Sequence, residues 1–205
     1  TLPLEIDHRA GISVAQLRAR ARRMARQKRG LDLIVVDYIG LLRQSDNVPR
    51  NADLNRIMTD VSNDLKLLAS ELGIPVLALS QLSRESAKRE DKIPLLTDLR
   101  DSGALEQNAA TVIFLHREHY YLSKASADGE ILRRANESAS AYDERCELHA
   151  AMTRASKGKA IISVAKSRHG PTGTCGLQFD DNSTWFRDVG EDPRSPAWTQ
   201  TGPEF

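Results

Sequence analysis

Two polar side chains in this sequence each follow a run of apolar residues, at a position suited to binding a phosphate or a metal ion. Asp37 comes directly after the run 33–36, and Gln81 comes shortly after the run 75–79. Nucleotidases use a carboxylate in this position to hold Mg²⁺, usually through water, and an amide can contact a phosphate oxygen or an attacking water. The other interpretations are an aspartate that begins the next turn and a glutamine whose amide is satisfied within its loop.

A pair of cations further along the chain offers a third group. Lys166 and Arg168 lie two residues apart, in a segment that also contains Ile162 and Val164. The two-residue period of a strand predicts that these four side chains share one face, with the two cations about 6.6 Å apart. Two such cations beside a β-turn can clamp a phosphate, and a guanidinium can neutralise a transferring phosphoryl group. Taken alone, however, the pair fits a solvated surface hairpin better.

The elements around Asp37 and Gln81 predict that the two side chains meet. Both apolar runs are typical of buried strands, and the first is expected to be covered on both faces. Between them, the apolar spacing predicts an amphipathic helix from about Asp53 to Leu72 that ends at Gly73. A strand–helix–strand order gives a right-handed crossover between parallel strands. Because ligands bind at the carboxyl ends of such strands, Asp37 and Gln81 are expected at one edge of the sheet.

A helix before the first strand is rich in cations and contains no acid. Ser13, with Gln16 three residues later, predicts a capping box, and the helix is expected to run to about Lys28 and stop at Gly30. Its basic residues are Arg18, Arg20, Arg22, Arg23, Arg26, Lys28 and Arg29. The pattern favours a solvated face on a helix packed against a sheet. Contact with nucleic acid or with a neighbouring subunit is the other interpretation.

Later segments predict further elements of the core. Residues 111–115 predict a third strand, and residues 176–179 and 185–186 predict two short closing strands. A short helix is expected to open at Ser102 or Gly103. A helix start with an arginine nearby and free backbone N–H groups suits the phosphate backbone of a nucleic acid.

The chain divides by pattern into a core and peripheral parts. Residues 1–30 form an opening segment with the basic helix, and residues 31–189 form the core. Within the core, residues 122–159 predict a helical insertion in which 130–155 form one long polar helix. Residues 190–205 hold three prolines and few apolar residues, which predicts a disordered tail.

Composition narrows the class of protein. The chain has 205 residues with 40% apolar and 28% charged content, as expected for a globular α/β domain with its own core. The net charge of +1 means that any basic surface must be local. Cys146 and Cys175 have no metal-type spacing. Without a membrane-spanning run or a visible signal peptide, the expected location is the cytoplasm.

One motif expected of a nucleoside triphosphatase does not occur in this sequence. The phosphate-cradling loop Gly-x-x-x-x-Gly-Lys-Ser/Thr has its nearest counterpart at Gly158 and Lys159, but Ala160 follows and Thr153 replaces the first glycine. Without that loop, the chain is not expected to bind ATP tightly or to hydrolyse it alone. The chain opens on Thr1 and is expected to be a piece of a longer protein, with the missing loop upstream.

Four motifs, in this order and at suitable distances, together resemble one family. They are LIVVDY at 33–38, PVLALSQL at 75–82, DLRDSGALEQ at 98–107 and AKSRHGPTG at 165–173. The chain resembles the C-terminal RecA-like motor domain of the bacterial replicative DNA helicase DnaB, over roughly residues 2–188. The resemblance implies a partial P-loop NTPase core, with a parallel sheet flanked by helices and a C-terminal antiparallel hairpin.

The resemblance also implies roles for individual residues. Asp37 matches the carboxylate that supports Mg²⁺, and Gln81 matches the glutamine that senses the γ-phosphate of ATP and links it to the DNA loops. Lys166 and Arg168 match the cationic pair that reaches the ATP of the neighbouring subunit.

A further motif of the family corresponds to the loop that holds single-stranded DNA in the central channel of the ring. Arg100, Asp101 and Gly103 match that loop. The partners implied are single-stranded DNA, five further copies in a homohexamer, a primase and a helicase loader, with no membrane and with a bacterial or phage origin.

Three features depart from the family pattern. Gly40 stands where the family usually carries glutamine, and Asn108-Ala109-Ala110 replaces the more acidic Asp-Ala-Asp. The stretch from about 122 to 159 is longer than the usual connection. The leading hypothesis is that the chain forms part of the motor of an ATP-driven DNA helicase. The alternative is a non-catalytic module, degenerate or split, that binds single strands or docks on a helicase ring.

Overall fold

The computed structural model describes most of the chain between residues 3 and 189. The described residues are 3–9, 11–43, 52–83, 86, 89, 91–99, 103–127 and 131–189. The predicted tail at 190–205 and the predicted DNA contacts Arg100 and Asp101 lie outside them. The chain forms two compact units, the first from residues 1–86 and 96–109, and the second from residues 87–95 and 110 onward.

The basic helix of the first unit, α1 (Val14–Ala25), begins as its sequence predicts. The Ser13 hydroxyl accepts a hydrogen bond from the backbone N–H of Gln16 at 3.3 Å. The Gln16 side chain accepts one from the backbone N–H of Ser13 at 3.1 Å, which completes the capping box. The helix ends a few residues earlier than predicted, because the chain turns before Gly30, whose φ is +70°.

Helix α2 (Leu54–Leu72) supplies much of the first unit's core, and its predicted bounds are confirmed. The Asp53 carboxylate caps it by accepting a hydrogen bond from the backbone N–H of Arg56 at 2.7 Å. Gly73 ends it with a φ of +65°, a conformation that favours glycine. The buried apolar side chains at helical spacing are Met58, Val61, Leu65 and Leu68.

The two strands that flank α2 pair in parallel, as predicted from the strand–helix–strand order. They are β1 (Ile34–Val36) and β2 (Val76–Ala78), and Ile34 lies opposite Val76. This pairing brings the carboxyl ends of both strands to one edge of the sheet.

The prediction that β1 is covered on both faces is wrong. Ile34 and Val36 are buried, in one cluster with side chains of α1 and α2. On the opposite face, Val35 is 56% exposed and Leu77 is 52% exposed. The reason is that α1 and α2 both pack on the Ile34 face, and the described residues leave the other face open.

The second unit is built on a four-stranded antiparallel sheet. Its order is β3 (Thr111–His116), β4 (Lys159–Ser167), β5 (Gly173–Asp180) and β6 (Trp185–Asp188). These strands confirm the predicted third strand and the predicted antiparallel hairpin. The buried apolar side chains of this unit include Val112, Phe114, Ala160, Phe179 and Val189.

The predicted insertion at 122–159 includes the end of helix α4 (Glu118–Ala127), which begins before it, and the whole of helix α5 (Ala139–Ser156). One long helix over residues 130–155 is not observed. Ser138 begins α5 by accepting a hydrogen bond from the backbone N–H of Ala141, which excludes the preceding residues from the helix.

The segment before α5 is fastened to the helix by side chains. Arg145 donates two hydrogen bonds of 2.8 Å to the Glu137 carboxylate, and the Tyr142 hydroxyl donates to the carbonyl of Ile131. No helix in the described part of the chain has both the length and the hydrophobicity needed to cross a bilayer.

Candidate functional site

Asp37 and Gln81 lie at the same edge of the parallel strand pair. The strand pairing continues past β1 and β2, since the N–H of Leu79 donates to the carbonyl of Val36 at 2.9 Å. The N–H of Ile39 then donates to the carbonyl of Leu79 at 3.0 Å. Asp37 therefore lies opposite Leu79, just past the end of β2, and Leu79 precedes Gln81 by two residues. This is the arrangement that the order of elements predicts.

Both side chains are exposed and available to a ligand. Among the described residues, neither the Asp37 carboxylate nor the Gln81 amide has a hydrogen-bond or ion-pair partner. The interpretation that the Gln81 amide makes its hydrogen bonds within its own loop is therefore not supported by the described residues. The peptide bond between Asp37 and Tyr38 is cis.

The Asp37 carboxylate fits only one kind of metal site. Among the described residues, no group of three or more His, Cys, Asp or Glu side chains could enclose a metal ion. A single exposed carboxylate suits Mg²⁺, which keeps most of its waters and takes its remaining ligands from phosphates. The residues present thus fit a water-mediated Mg²⁺ beside a nucleotide.

A short backbone ladder joins the Gln81 segment to the segment before the predicted DNA loop. Leu82 pairs with Leu99 in an antiparallel bridge, and the N–H of Ser83 donates to the carbonyl of Asp98 at 2.8 Å. Leu99 directly precedes Arg100. Backbone bonds therefore connect the residues directly after Gln81 with the residues directly before Arg100.

The helix that follows the predicted DNA loop is fastened by a side-chain contact that the sequence did not predict. Gly103 begins α3 (Gly103–Asn108), a helix of six residues. At its end, the Asn108 amide donates to the Ser62 hydroxyl at 3.0 Å and to the Asn63 side-chain oxygen at 2.7 Å. Both bonds fasten α3 to α2. Periodicity does not mark Asn108, and only its departure from the family pattern singled it out.

Gly103 is exposed, and a side chain built on it would meet no atom within 4 Å. Its lack of a side chain is therefore not required by packing among the described residues. A position of this kind leaves room for a ligand backbone to approach closely.

The face predicted for Lys166 needs a correction. Val112 on β3 pairs with Lys166, but its neighbour Ile113 pairs with Val164, so β4 carries one extra residue at this point. Directly paired residues share a face and consecutive residues alternate, so Lys166 lies on the face opposite Val164. The prediction that Ile162 and Val164 share a face with Lys166 is therefore wrong, because a β-bulge breaks the period.

Lys166 and Arg168 both lie beyond the bulge, at the end of β4. The backbone N–H of Arg168 donates to the carbonyl of Ala110 at 3.0 Å, which extends the pairing with the start of β3. The Arg168 side chain is exposed and Lys166 is half-buried. Arg168 is thus placed where another molecule can reach it.

The glycine at position 40 has a local explanation. A side chain built there would lie 2.6 Å from the ring of Tyr38. Tyr38 would have to move before glutamine could occupy the position. The observed position of the Tyr38 ring therefore requires a glycine at position 40.

The cations of α1 fall into two groups. Arg18 lies 3.8 Å from Asp64 and 3.7 Å from Glu71, both on α2. Arg22 also pairs with Glu71, and its hydrogen bond lowers the pKa of that carboxyl. Arg20 pairs with Asp7. Ion pairs within the first unit therefore involve these three arginines, whereas the four basic residues that follow are exposed and fit either a solvated face or contact with another molecule.

The comparison with known proteins identifies the family. The family described as DnaB-like helicase C terminal domain matches residues 1–188. The replicative DNA helicase DnaB of Rickettsia bellii is 38% identical over 181 residues, which cover 88% of this chain and 34% of that protein. This chain spans about a third of the length of the curated relatives it matches.

Solved structures agree with that match. One is a DnaB-like replicative helicase studied with its interactions with primase; it is 32% identical, with a TM-score of 0.69 over 90% of this chain and 38% of that chain. Another is the ATPase domain of the protein "G40P", 32% identical, with a TM-score of 0.67 over 87% of this chain and 52% of that chain. The predicted RecA-like α/β fold is confirmed, and the chain belongs to the family of DnaB-like helicase C-terminal domains.

Proposed function

We propose that this chain is part of the ATP-dependent motor of a hexameric replicative DNA helicase, which moves along single-stranded DNA and unwinds duplex. The observation that supports this most is the edge of the β1–β2 pair. Two exposed side chains without partners among the described residues, Asp37 and Gln81, lie there together in a chain of this family. A nucleotide is the ligand that uses a carboxylate and an amide in this arrangement.

In this proposal, Asp37 orients the waters of a Mg²⁺ ion beside the phosphates of ATP. The ion would neutralise charge on the phosphate oxygens when bound. The Gln81 amide contacts the γ-phosphate or the attacking water. Its link to the loop before Arg100 runs through the Leu82–Leu99 bridge, so contact with the nucleotide can change the position of the loop.

Lys166 and Arg168 act on the nucleotide of a neighbouring copy. Arg168 is exposed at the end of the β4–β5 hairpin, as a residue that acts on another subunit must be. A guanidinium supplied in this way stabilises the charge that spreads over the transferring phosphoryl group. The nucleotide would then lie between subunits, which makes assembly a requirement for hydrolysis.

The segment of Arg100, Asp101 and Gly103 holds the backbone of single-stranded DNA. The bare surface at Gly103 leaves space for the strand, and α3 is held in place by Asn108. A primase and a helicase loader are the proposed further partners, and the cytoplasm is the proposed location. One of the similar solved helicases was studied with its interactions with primase.

The alternative function is a non-catalytic module that binds single strands or docks on a helicase ring. The 205 residues contain no Gly-x-x-x-x-Gly-Lys-Ser/Thr loop, so they do not by themselves supply the phosphate-binding loop of an ATPase site. The two functions differ in whether Asp37 matters for hydrolysis, so one experiment separates them.

The test compares two aspartates at opposite ends of β1 in the full-length protein. Asp37→Asn removes the carboxylate at the carboxyl end, and Asp32→Asn removes an exposed carboxylate before the strand. We expect Asp37→Asn to lower ATP hydrolysis and unwinding at least about 100-fold, because loss of a metal-supporting group costs several kcal/mol. Asp32→Asn should retain normal activity. Equal activity of the two variants would favour the non-catalytic module.

A further inference from the structure

Four basic residues at the end of α1 remain after the ion pairs of that helix are accounted for. They are Arg23, Arg26, Lys28 and Arg29, called here the α1 basic cluster. All four side chains are exposed, and among the described residues none of them has a hydrogen bond or an ion pair. The three arginines before them on α1 that carry pairs all face acids of the same unit.

The helix dipole explains why a basic residue is favoured at the end of α1, but it does not explain all four. A cation in the last turn is favoured by the helix dipole, and Arg23 meets that description. Arg26 is the cap, and Lys28 and Arg29 lie in the turn beyond it. Arg23 and Arg26 are three residues apart on the helix surface, where like charges repel. The isolated unit therefore bears a local repulsion that a bound anion would remove.

The surroundings of the cluster narrow the kind of anion. Val14 and Ala21, the best-buried apolar residues of α1, face the core. Among residues 23–30, the exposed positions are the four cations with Gln27 and Gly30, and none of them carries a large apolar side chain. Arg26 also lines an open pocket with Glu71 and Leu72, but that carboxylate is already paired with Arg22. A membrane-binding helix needs an apolar face, and a protein interface needs buried apolar anchors. The cluster has neither.

We propose that the α1 basic cluster is a second DNA-binding surface, which contacts the sugar–phosphate backbone without regard to sequence. Three of its four cations are arginines, whose planar forks bind phosphate oxygens in pairs. The surface is separate in sequence from the loop at 100–103 and needs neither ATP nor that loop. It extends the proposed helicase function without depending on it.

The test measures how DNA affinity of the full-length protein depends on salt. In the cluster variant, the four residues are replaced by glutamine. In the control variant, four other exposed cations without partners among the described residues are replaced by glutamine, so that net charge changes equally; these are Arg56, Lys66, Lys124 and Lys157. Binding of labelled single-stranded and duplex DNA is followed by fluorescence anisotropy at stepped salt concentrations.

We expect the cluster variant to bind more weakly at low salt and the deficit to close as salt rises. The slope of log affinity against log salt should become shallower by about 3, since each lost phosphate contact removes roughly 0.7–0.9. The control variant should change the slope by less than about 1. A third variant, with the three arginines of the cluster changed to lysine, keeps the charge and should keep most of the slope.

Two results would overturn the proposal. Equal losses in the cluster and control variants would assign the effect to net charge, and an unchanged slope in the cluster variant would remove the site. Weaker binding to polyaspartate with unchanged DNA binding would count as the second result and point to an acidic protein instead. ATP hydrolysis without DNA should stay normal in all three variants, so a failure of the helicase proposal would be recognised separately.

Discussion

The two units of this chain present their functional side chains in different ways. In the first unit, Asp37 and Gln81 follow parallel strands that rest on a core of ten buried residues. In the second, Lys166 and Arg168 end a strand that contains a bulge, in an antiparallel sheet with a smaller set of buried residues. The first arrangement fixes side chains against the chain's own core. The second places them at a hairpin end, where Arg168 is exposed and Lys166 is half-buried.

The largest expected effect concerns the hairpin end. Arg168→Ala in the full-length protein should lower ATP hydrolysis by at least about 1,000-fold, the usual contribution of an arginine that acts on a transferring phosphoryl group. The matched control is Arg187→Ala on β6, whose guanidinium lies over the Trp185 ring 5.7 Å from its centre. It should leave hydrolysis normal. Near-normal activity of Arg168→Ala would remove that residue from the reaction.

The next effect concerns the core beneath the first site. Leu68 is fully buried, so Leu68→Ala should lower the free energy of unfolding by about 3 kcal/mol. Leu77 is 52% exposed on the open face of β2, and Leu77→Ala should cost under about 1 kcal/mol in this chain. Urea unfolding of both variants measures the difference. Similar costs at the two positions would mean that the open face is covered.

A smaller effect is expected where α3 is fastened to α2. Asn108→Ala removes two hydrogen bonds, each worth about 1 kcal/mol, and should weaken single-stranded DNA binding by up to about tenfold. Nucleotide binding should not change, because Asp37 and Gln81 are not touched. Asn136→Ala, at an exposed position before α5, serves as the control. Loss of nucleotide binding in Asn108→Ala would show that the contact supports the whole unit and not the loop.

The smallest effect is a pH dependence in the second unit. The hydrogen bonds from Arg145, and next that from the backbone of Arg134, lower the pKa of Glu137 from 4.5 to about 2. Because the folded pKa is depressed, this carboxylate stabilises the fold fully above pH 4.5 and loses its contribution as pH falls towards 2. Thermal unfolding over this range should show a shallower pH dependence for Glu137→Gln than for wild type.

Glu144→Gln, at an exposed position on α5, is the control for the pH measurement. Its stability should follow the wild-type pH dependence. Identical curves for Glu137→Gln and wild type would mean that the segment before α5 is not held by this ion pair.

Sequence alone predicted the first unit better than the second. The apolar spacing in α2, its Asp53 cap and its Gly73 end are local signals, so the bounds of the helix could be read directly. The edge shared by Asp37 and Gln81 followed from the parallel pairing that a strand–helix–strand order gives. The open face of β1 could not be predicted, because an apolar run indicates that a strand can be buried and not what lies against it.

The misses in the second unit have a different cause. The face of Lys166 depends on a bulge, which is set by pairing between strands that are about fifty residues apart and leaves no mark on the local period. The long polar helix was wrong because Ser138 provides a cap that competes with helix continuation. Asn108 was missed as a contact because its partners lie on another helix.

The most direct test of a nucleotide site shared between copies is to mix two inactive full-length variants, Asp37→Asn and Arg168→Ala. If the two residues act on one nucleotide from different subunits, some subunit interfaces in a mixed assembly will contain both an intact Asp37 and an intact Arg168. ATP hydrolysis should then recover in part on mixing, although each variant alone is inactive. No recovery at any mixing ratio would place both residues in one subunit's site and contradict the account.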